Sequence, residues 1–285
     1  MKKIKYHLLF ILVSMGCFLY AQKEDLLPDG VKATESYIDT IIKNYSDENA
    51  FAFDIETITN LARIPITVHI IRNIEGKAGV AIADINDGID MANNHFENIG
   101  IHFFIDTINY VDDYNYSFIN YNSNRKELLS IYAKSKQINL YLADSIQMGT
   151  EMSYGYTYFP DAPDSNYIFL NKEYINGNYL TTMLGHYFGL LSTHETLGGN
   201  ETANEENCDG TGDFICDTWA DPDLFQQVDT TCHYTGEYKD GNSDFYVPTV
   251  ANIMSNTLDG CKCKFTTLQY RRMYYYFMKY RQYSF

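Results

Sequence analysis

The sequence is poor in basic residues, and long apolar runs are confined to its first 21 positions. Among 285 residues, 21 are lysine or arginine and 37 are aspartate or glutamate, so the formal net charge at pH 7 is −16. The electrostatic field of a negatively charged protein repels nucleic acid and anionic membranes, which argues against partners of both kinds. No later apolar run approaches a spanning length, so we predict no membrane span.

Cysteine is absent between positions 22 and 207 and then occurs five times. In an oxidising compartment, such a cluster in a histidine-poor segment predicts disulfides and not a metal site. An odd number leaves one cysteine over. The five are Cys208, Cys216, Cys232, Cys261 and Cys263.

Residues 1–21 predict a signal peptide. Three lysines precede a short apolar run and small residues, and we expect cleavage after Ala21. A lipoprotein signal ending at Cys17 is the alternative; Gly16 suits it, but the two residues before Gly16 do not. Removal of the segment leaves 18 basic and 37 acidic residues and a net charge of −19. We therefore expect an exported, soluble protein.

No internal repeat or low-complexity linker divides the remaining chain. About 264 residues can form one large domain or one domain with two lobes. The acidic segment 22–61 is predicted to be an N-terminal arm or a propeptide. We place the main domain at 62–285, with its upper lobe ending at residue 189 and its lower lobe beginning at residue 190.

Hydrophobic periodicity predicts an α+β fold in which a mixed sheet is backed by two helices. His69, His95 and His102 lie in its elements, and we interpret them as core or surface histidines. The predicted strands are IPITVHIIRN, IGIHFFIDTI, QINLYLAD, GYTYFP and NYIFLN, and the predicted helices include Ile82 to Phe96, Glu127 to Ala133, one from Thr181 and one near the C-terminus.

The stretch TTMLGHYFGLLSTHE, positions 181–195, has the frame of a zinc-binding helix. In the pattern HExxHxxGxxH, three histidines bind the metal, the glutamate is the general base and the glycine ends the helix. With His186 as the second histidine, Gly189 falls on the glycine. The other working positions hold neither ligand nor base: Thr182 replaces the first histidine, Met183 the glutamate and Ser192 the third histidine.

A single imidazole is a weak metal site, because catalytic zinc needs three protein ligands and an open position for water. Loss of the general base removes a contribution of about a hundred- to ten-thousand-fold in rate. A shifted register fails, since Gly198 stands four residues after His194. We therefore predict that zinc is absent, and we interpret His186 as a histidine packed under the glycine turn.

The loop after this helix is rich in acids and contains Gly210 and Gly212. Such oxygen-rich, glycine-bent loops can hold calcium, although the EF-hand spacing is missing. A solvated acidic loop is the interpretation that we favour. The acids are Glu205, Glu206, Asp209, Asp213, Asp217, Asp221 and Asp223.

Five segments, in this order, resemble the pappalysin and cytophagalysin group of metzincin zinc peptidases, over roughly Ile64 to Met273. They are IPITVHII, LGHYFGLLSTHE, GDFICDTWADP, NIMSN and CKCKFTTLQYRRM. The resemblance implies a twisted sheet with two helices in an upper lobe, an irregular lower lobe, a cleft between the lobes and calcium in the loops after the helix.

The resemblance assigns Met254 to the Met-turn beneath the metal site. Asn256 stands where the family commonly has a tyrosine that stabilises the reaction intermediate. Together with Thr182, Met183 and Ser192, this makes four functional positions at which the family's residue is replaced. The glycine and the Met-turn methionine keep their places in the sequence.

The resemblance also implies a disulfide pattern. It pairs Cys208 with Cys232 and Cys216 with Cys261, which leaves Cys263 as the surplus thiol.

From these observations we predict a secreted pseudopeptidase that binds a polypeptide or protein in its cleft without zinc-dependent hydrolysis. In metzincins the substrate adds as a strand to the edge of the upper sheet, and this recognition needs no metal. We place that edge between Tyr154 and Phe159, with Tyr154, Tyr156 and Tyr158 as its contact residues.

Two other functions are open. The first is an active zinc metalloendopeptidase that recruits His186, His194 and either His233 or an acid of the lower lobe. The second is a purely structural surface or matrix protein, which the acidic charge fits equally well.

Overall fold

The computed structural model describes residues 54–120, 124–148, 151–160 and 166–282, together with Lys43. The predicted signal peptide, the alternative lipid site at Cys17 and most of the predicted arm lie outside the described residues. In the part of the chain that is described, no helix is long and apolar enough to cross a membrane.

The described residues form eight strands and four α-helices, numbered in chain order. The strands are β1 (Ala62–Arg72), β2 (Ile101–Asp112), β3 (Phe118–Asn120), β4 (Ile138–Ala143), β5 (Ser145–Met148), β6 (Glu151–Ser153), β7 (Gly155–Thr157) and β8 (Tyr167–Asn171). The helices are α1 (Ile82–Phe96), α2 (Arg125–Tyr132), α3 (Tyr179–Tyr187) and α4 (Thr267–Tyr276).

The main sheet has five strands in the order β2-β1-β4-β8-β7. Its first three pairs are parallel, and β7 joins β8 in the antiparallel sense. Parallel neighbours need crossovers, and α1 supplies the one between β1 and β2. The predicted mixed α+β architecture, with a twisted mixed sheet and backing helices, is confirmed.

Strand β1 pairs with β2 and β4 along its two edges, and a packed layer covers each of its faces. Its residues Ile66, Val68 and Ile70 join the core formed with α1 and α3, whereas Ile71 faces the opposite side and packs near Tyr141. A strand covered on both faces is apolar along most of its length, which explains the strong signal in the sequence.

The opposite face of the sheet is covered by a second, three-stranded sheet in the order β3-β5-β6 and by α2. Ile119, Leu128 and Ile146 from these elements pack near Phe169. The sequence did not predict this small sheet, because strands of three or four residues are too short to show a period.

From residue 190 to the start of α4 the chain, all of it described, consists of turns joined by isolated bridges. Cys263 is an exposed free cysteine in this lower region, as the resemblance implied. Two disulfides hold the irregular region together.

The disulfide pairing implied by the resemblance is wrong. Cys208 is bonded to Cys216, with their Cα atoms 5.1 Å apart, and Cys232 is bonded to Cys261, with Cα atoms 5.5 Å apart. Successive turns between the first two cysteines fold the chain back and bring them together. Such turns decide which sulfurs meet, and connectivity does not follow from spacing along the sequence.

Candidate functional site

Helix α3 carries the positions that the sequence motif singled out. All its residues from Leu180 to Tyr187 are buried, because the helix packs into the main core between the sheet and the C-terminal helical segment. The turn after it contains Gly189 at a φ of 91°, and a Cβ added there would lie 2.5 Å from the ring of Tyr276. This turn therefore requires glycine.

Thr182, at the position of the first histidine, is held by structural hydrogen bonds. Its hydroxyl lies 3.0 Å from the carbonyl oxygen of Ile253 and 3.2 Å from that of Asn178. The ammonium of Lys262 donates to the same hydroxyl over 3.3 Å and to the Ile253 oxygen over 3.1 Å. This position is thus tied to the chain just before Met254 and to a buried positive charge.

Met183, at the position of the general base, forms an apolar contact between α3 and the outer strand of the main sheet. Its side chain is fully buried, and a Cβ added to Gly155 of β7 would lie 3.2 Å from its sulfur. A thioether is a weak hydrogen-bond acceptor and not a base. No proton transfer starts from this position.

His186 is fixed in one orientation. Its Nδ1 lies 2.8 Å from the carbonyl oxygen of Leu190, so the Nδ1–H donates and the neutral ring keeps its basic lone pair on Nε2. The ring is buried and meets Phe159 edge-on, with 6.3 Å between the ring centroids. The one surviving imidazole of the motif is therefore a packed, hydrogen-bonded side chain.

Two of the residues just after the helix extend the polar side of the site. Burial raises the pKa of Glu195, against the opposing effects of the Thr196 N–H, His194 and His186. The Nδ1 of His194 is buried and has no hydrogen-bond partner among the described residues. His233, in contrast, lies in an exposed loop where its ring bonds to a neighbouring threonine.

Met254, which the resemblance assigns to the Met-turn, lies against α3. A Cβ added to Gly185 would come within 2.6 Å of the Met254 sulfur, so the helix and the turn touch without a side chain between them. The Met254 N–H donates to Asn252 Oδ1, and its carbonyl oxygen accepts from the N–H of Thr193. The turn supports both the helix and the chain leaving it.

The two remaining motif positions have structural contacts. Ser192 is half-buried, and its carbonyl oxygen accepts from the N–H of Glu195. The Asn256 amide donates to Asp223 Oδ1 over 2.9 Å. An amide in this place joins the turn at Met254 to the acidic loop and supplies neither an acid nor a base.

The residues around His186 do not fit a catalytic zinc centre. Such a centre takes three protein ligands and keeps a position for water. Here the Thr182 hydroxyl is used in structural bonds and Met183 packs against β7. No three His, Cys, Asp or Glu side chains are grouped to hold a metal ion in the part of the chain that the structure describes.

The three histidines of the sheet region have structural contacts, in line with their interpretation from the sequence. His69 is fully buried against a tyrosine ring, and burial lowers its pKa to about 4. His95 packs edge-on against Phe265, and His102 lies 2.7 Å from a carboxylate oxygen of Glu97.

Strand β7 is the outer strand of the main sheet and, within the described residues, pairs only with β8. The Asn171 N–H donates to the Tyr154 carbonyl oxygen, and bonded positions alternate along an antiparallel ladder. Tyr156 therefore directs its backbone groups to β8, whereas Gly155 and Thr157 direct theirs away from it.

Gly155 and Thr157, whose backbone groups point away from β8, differ in whether those groups already have local hydrogen bonds. The Ser153 hydroxyl donates to the Gly155 carbonyl oxygen and lies 3.2 Å from the Gly155 nitrogen, so this glycine is already engaged locally. Thr157 is the position whose backbone faces outward from the strand. Of the three tyrosines predicted to contact a ligand, Tyr156 is wrong, because its ring is fully buried against Phe169 on the far face of the sheet.

A cavity of about 330 Å³ lies beside the start of β7. Tyr154, Tyr174 and Tyr179 form one wall, and their rings pack on one another. Concave sites with mainly apolar walls and a few polar groups are typical of ligand pockets. The rest of the lining comes from lower-lobe residues: Leu224, Phe225, Gln226, Val228, Asn256, Thr257, Leu258, Asp259 and Lys262.

Two buried carboxyl groups lie in the loop after α3. Burial and the charge of Asp213 raise the pKa of Glu201 to about 8, and burial raises that of Asp213 to about 7 although Arg272 opposes it. Each has a buried oxygen without a hydrogen-bond partner among the described residues. The interpretation of a solvated acidic loop is therefore wrong for Asp213, which is 1 % exposed.

Three residues that contribute to this region are not marked by any pattern in the sequence. Lys262 is one of three lysines between positions 262 and 279, and no pattern marks it as buried. Tyr179 is one of 26 tyrosines. Glu201 precedes the acidic stretch, which begins at Glu205, and no acidic neighbour marks it as part of the same loop.

The fold is similar to that of mirolysin, solved in complex with "compound 9", with a TM-score of 0.53 and 17 % sequence identity over 76 % of this chain and 91 % of that chain. The chain has a metzincin-like metallopeptidase fold. Metalloproteinase-II from Bacteroides fragilis matches with a TM-score of 0.31 and 14 % identity over 62 % of this chain and 55 % of that one. No protein-family model and no curated protein matches the sequence. The likeness concerns the fold, and activity depends on the residues of the site.

Proposed function

We propose that this metzincin-like chain is a secreted, non-catalytic polypeptide-binding protein, a pseudopeptidase of the pappalysin type. The observation that carries the proposal is the state of α3: a bonded hydroxyl at Thr182 and a packed thioether at Met183 leave it with neither a ligand set nor a base. The five segments that resemble pappalysins support the type. The two disulfides support export, because such bonds persist in oxidising compartments.

The proposed ligand is an extended peptide that adds to β7 as a further strand. Thr157, which is 3 % exposed, directs its N–H and carbonyl groups to the side of the strand away from β8, and main-chain bonds of this kind give affinity without a metal. Tyr154 lies at the start of the strand and also lines the cavity. The strand edge and the cavity are therefore contiguous, so one side chain of the ligand can enter the cavity while its backbone pairs with β7.

Replacing Thr157 by proline is expected to weaken peptide binding about tenfold or more, because proline removes the outward N–H and places its ring in the path of the ligand. The bonded position at Tyr156 is left unchanged. A peptide array identifies binders of the wild-type protein, and fluorescence anisotropy then measures their Kd values for the variant.

Thr157→Val is the matched control. Valine keeps the backbone N–H but loses the hydroxyl, which donates to the Tyr167 carbonyl oxygen over 3.1 Å. Wild-type affinity in the valine variant together with weak binding in the proline variant supports pairing at the edge. Equal affinities in all three proteins would show that ligands do not bind there.

The rival function is an active metalloendopeptidase with an unorthodox ligand set around His186 and His194. Elemental analysis of the purified protein separates the two functions. We expect substoichiometric zinc and no cleavage of casein. Stoichiometric zinc together with chelator-sensitive cleavage of casein or gelatin would overturn the pseudopeptidase proposal.

We also propose that Glu201 and Asp213 contribute to a calcium site in the loop after α3. Calcium prefers carboxylate and carbonyl oxygens, and both side chains have a buried oxygen without a partner in the described part of the chain. A bound cation would provide a positive charge to pair with these two carboxylates and would hold the loop together.

A further inference from the structure

Lys262 is positioned with its side chain directed into the protein. It follows the short helical turn Asp259–Cys261, which the disulfide to Cys232 holds in place. Its N–H donates to the Asp259 carbonyl oxygen, and its own carbonyl accepts from the Asn178 side chain just before α3. The residue is 5 % exposed, so this backbone arrangement buries a charged side chain.

The buried ammonium lies at the first-ligand position of the motif. Its Nζ donates to the Thr182 hydroxyl over 3.3 Å and to the Ile253 carbonyl oxygen over 3.1 Å, and it lies 5.5 Å from the centroid of the Tyr179 ring. The Thr182 hydroxyl and the same Ile253 oxygen are 3.0 Å apart. One cation thus joins α3 to the chain immediately before the Met-turn.

We infer that Lys262 is an internal cation that links α3 to the chain just before Met254 and that excludes a divalent ion from the neighbouring space. A charge in the protein interior is weakly screened, and a second positive charge close to it is strongly disfavoured. The Thr182 hydroxyl and the Ile253 carbonyl oxygen, to which the ammonium donates, are neutral acceptors. Restoring the histidines and the glutamate of the motif is therefore insufficient to restore metal binding while Lys262 remains.

The test compares two variants of the full chain. The first carries Thr182→His, Met183→Glu and Ser192→His, and the second carries these changes together with Lys262→Met, which keeps an unbranched side chain and removes the charge. Zinc affinity is measured by competition with a chromophoric chelator at neutral pH. We expect the second variant to bind zinc at least about tenfold more tightly than the first.

The matched control adds Lys264→Met to the threefold variant. Lys264 is exposed and stands two residues further along, so its replacement removes the same formal charge from the surface. We expect no change in zinc affinity. Equal zinc affinity with and without Lys262→Met, or an equal gain from Lys264→Met, overturns the inference.

A simpler pair of variants tests the inference if the proteins with three or four substitutions do not fold. Thr182→His is compared with Thr182→His plus Lys262→Met, after circular dichroism and thermal melting have shown that both are folded. Zinc titration by calorimetry is expected to show tighter binding to the second protein, and indistinguishable affinities overturn the inference. Neither result depends on peptide binding at β7, so this inference and the pseudopeptidase proposal fail separately.

Discussion

Calcium is expected to raise the Tm of the purified protein by about 10 °C at pH 8 and by much less at pH 5. A ligand present at about a thousand times its Kd stabilises the folded state by roughly 4 kcal/mol. For a domain of this size, each kcal/mol shifts Tm by about 2–4 °C. At pH 5 Glu201 and Asp213, whose pKa values are raised to about 8 and about 7, are protonated in the fold and offer no charge to the ion.

The calcium-free protein is expected to become less stable as the pH rises from about 4.5 to about 8. Burial raises the pKa of Glu201 from 4.5 to about 8, so the folded state binds this proton more tightly than the unfolded chain does. The unfolded chain therefore loses the proton first, and the free energy of unfolding falls across that interval. Thermal melts in chelator at several pH values measure the trend.

Glu201→Gln separates this site from a general effect of calcium on an acidic protein. The substitution removes the charge and is expected to abolish most of the calcium-dependent rise in Tm while raising the calcium-free Tm at pH 8. Asp244→Asn, at an exposed position, is the control and should leave both values unchanged. A calcium response that is the same in the two variants would rule out Glu201 as a ligand.

Gly189→Ala is expected to destabilise the protein by roughly 3 kcal/mol or more, or to prevent soluble expression. Alanine disfavours the φ of 91° at this position, which costs about 1 kcal/mol, and its Cβ would lie 2.5 Å from the Tyr276 ring in the packed core. Overpacking of this kind adds about 1–3 kcal/mol. Urea or thermal unfolding of the purified variant measures the loss.

Gly241→Ala is the control for this prediction. A Cβ added to Gly241 has no atom within 4 Å, and this glycine is not among those with positive φ. We expect a stability close to wild type. Wild-type stability in Gly189→Ala would mean that the glycine of the motif is not needed for the turn after α3.

The long strands of the main sheet and the helices packed on it were predictable because their apolar residues recur at regular intervals over many positions. β1 is apolar along most of its length because both its faces are covered, and α1 presents Ile85 and Ile89 to the core at helical spacing. The small second sheet was not predictable. Its short strands are defined by pairing with one another, and each contributes too few residues for a period.

The disulfides show the limit of reasoning from spacing. The sequence predicted disulfides among the five cysteines, but a bond forms between sulfurs that turns bring together, and those turns are not visible in the cysteine spacing. The actual partner of Cys208 is Cys216, and that of Cys232 is Cys261. Spacing along the sequence also failed for Tyr156. Side chains alternate between the two faces of β7, and only the fold shows that the ring of Tyr156 lies on the covered face.

The sequence by itself determined which side chains stand at the working positions of α3, and therefore that Thr182 and Met183 bring neither a ligand set nor a base. Tertiary structure alone decided what surrounds them. The Lys262 ammonium reaches Thr182 from 80 positions further along the chain, and the Met254 sulfur touches the helix at Gly185. Residue identity sets the chemistry a position can perform, whereas contacts between distant segments depend on how the whole chain packs.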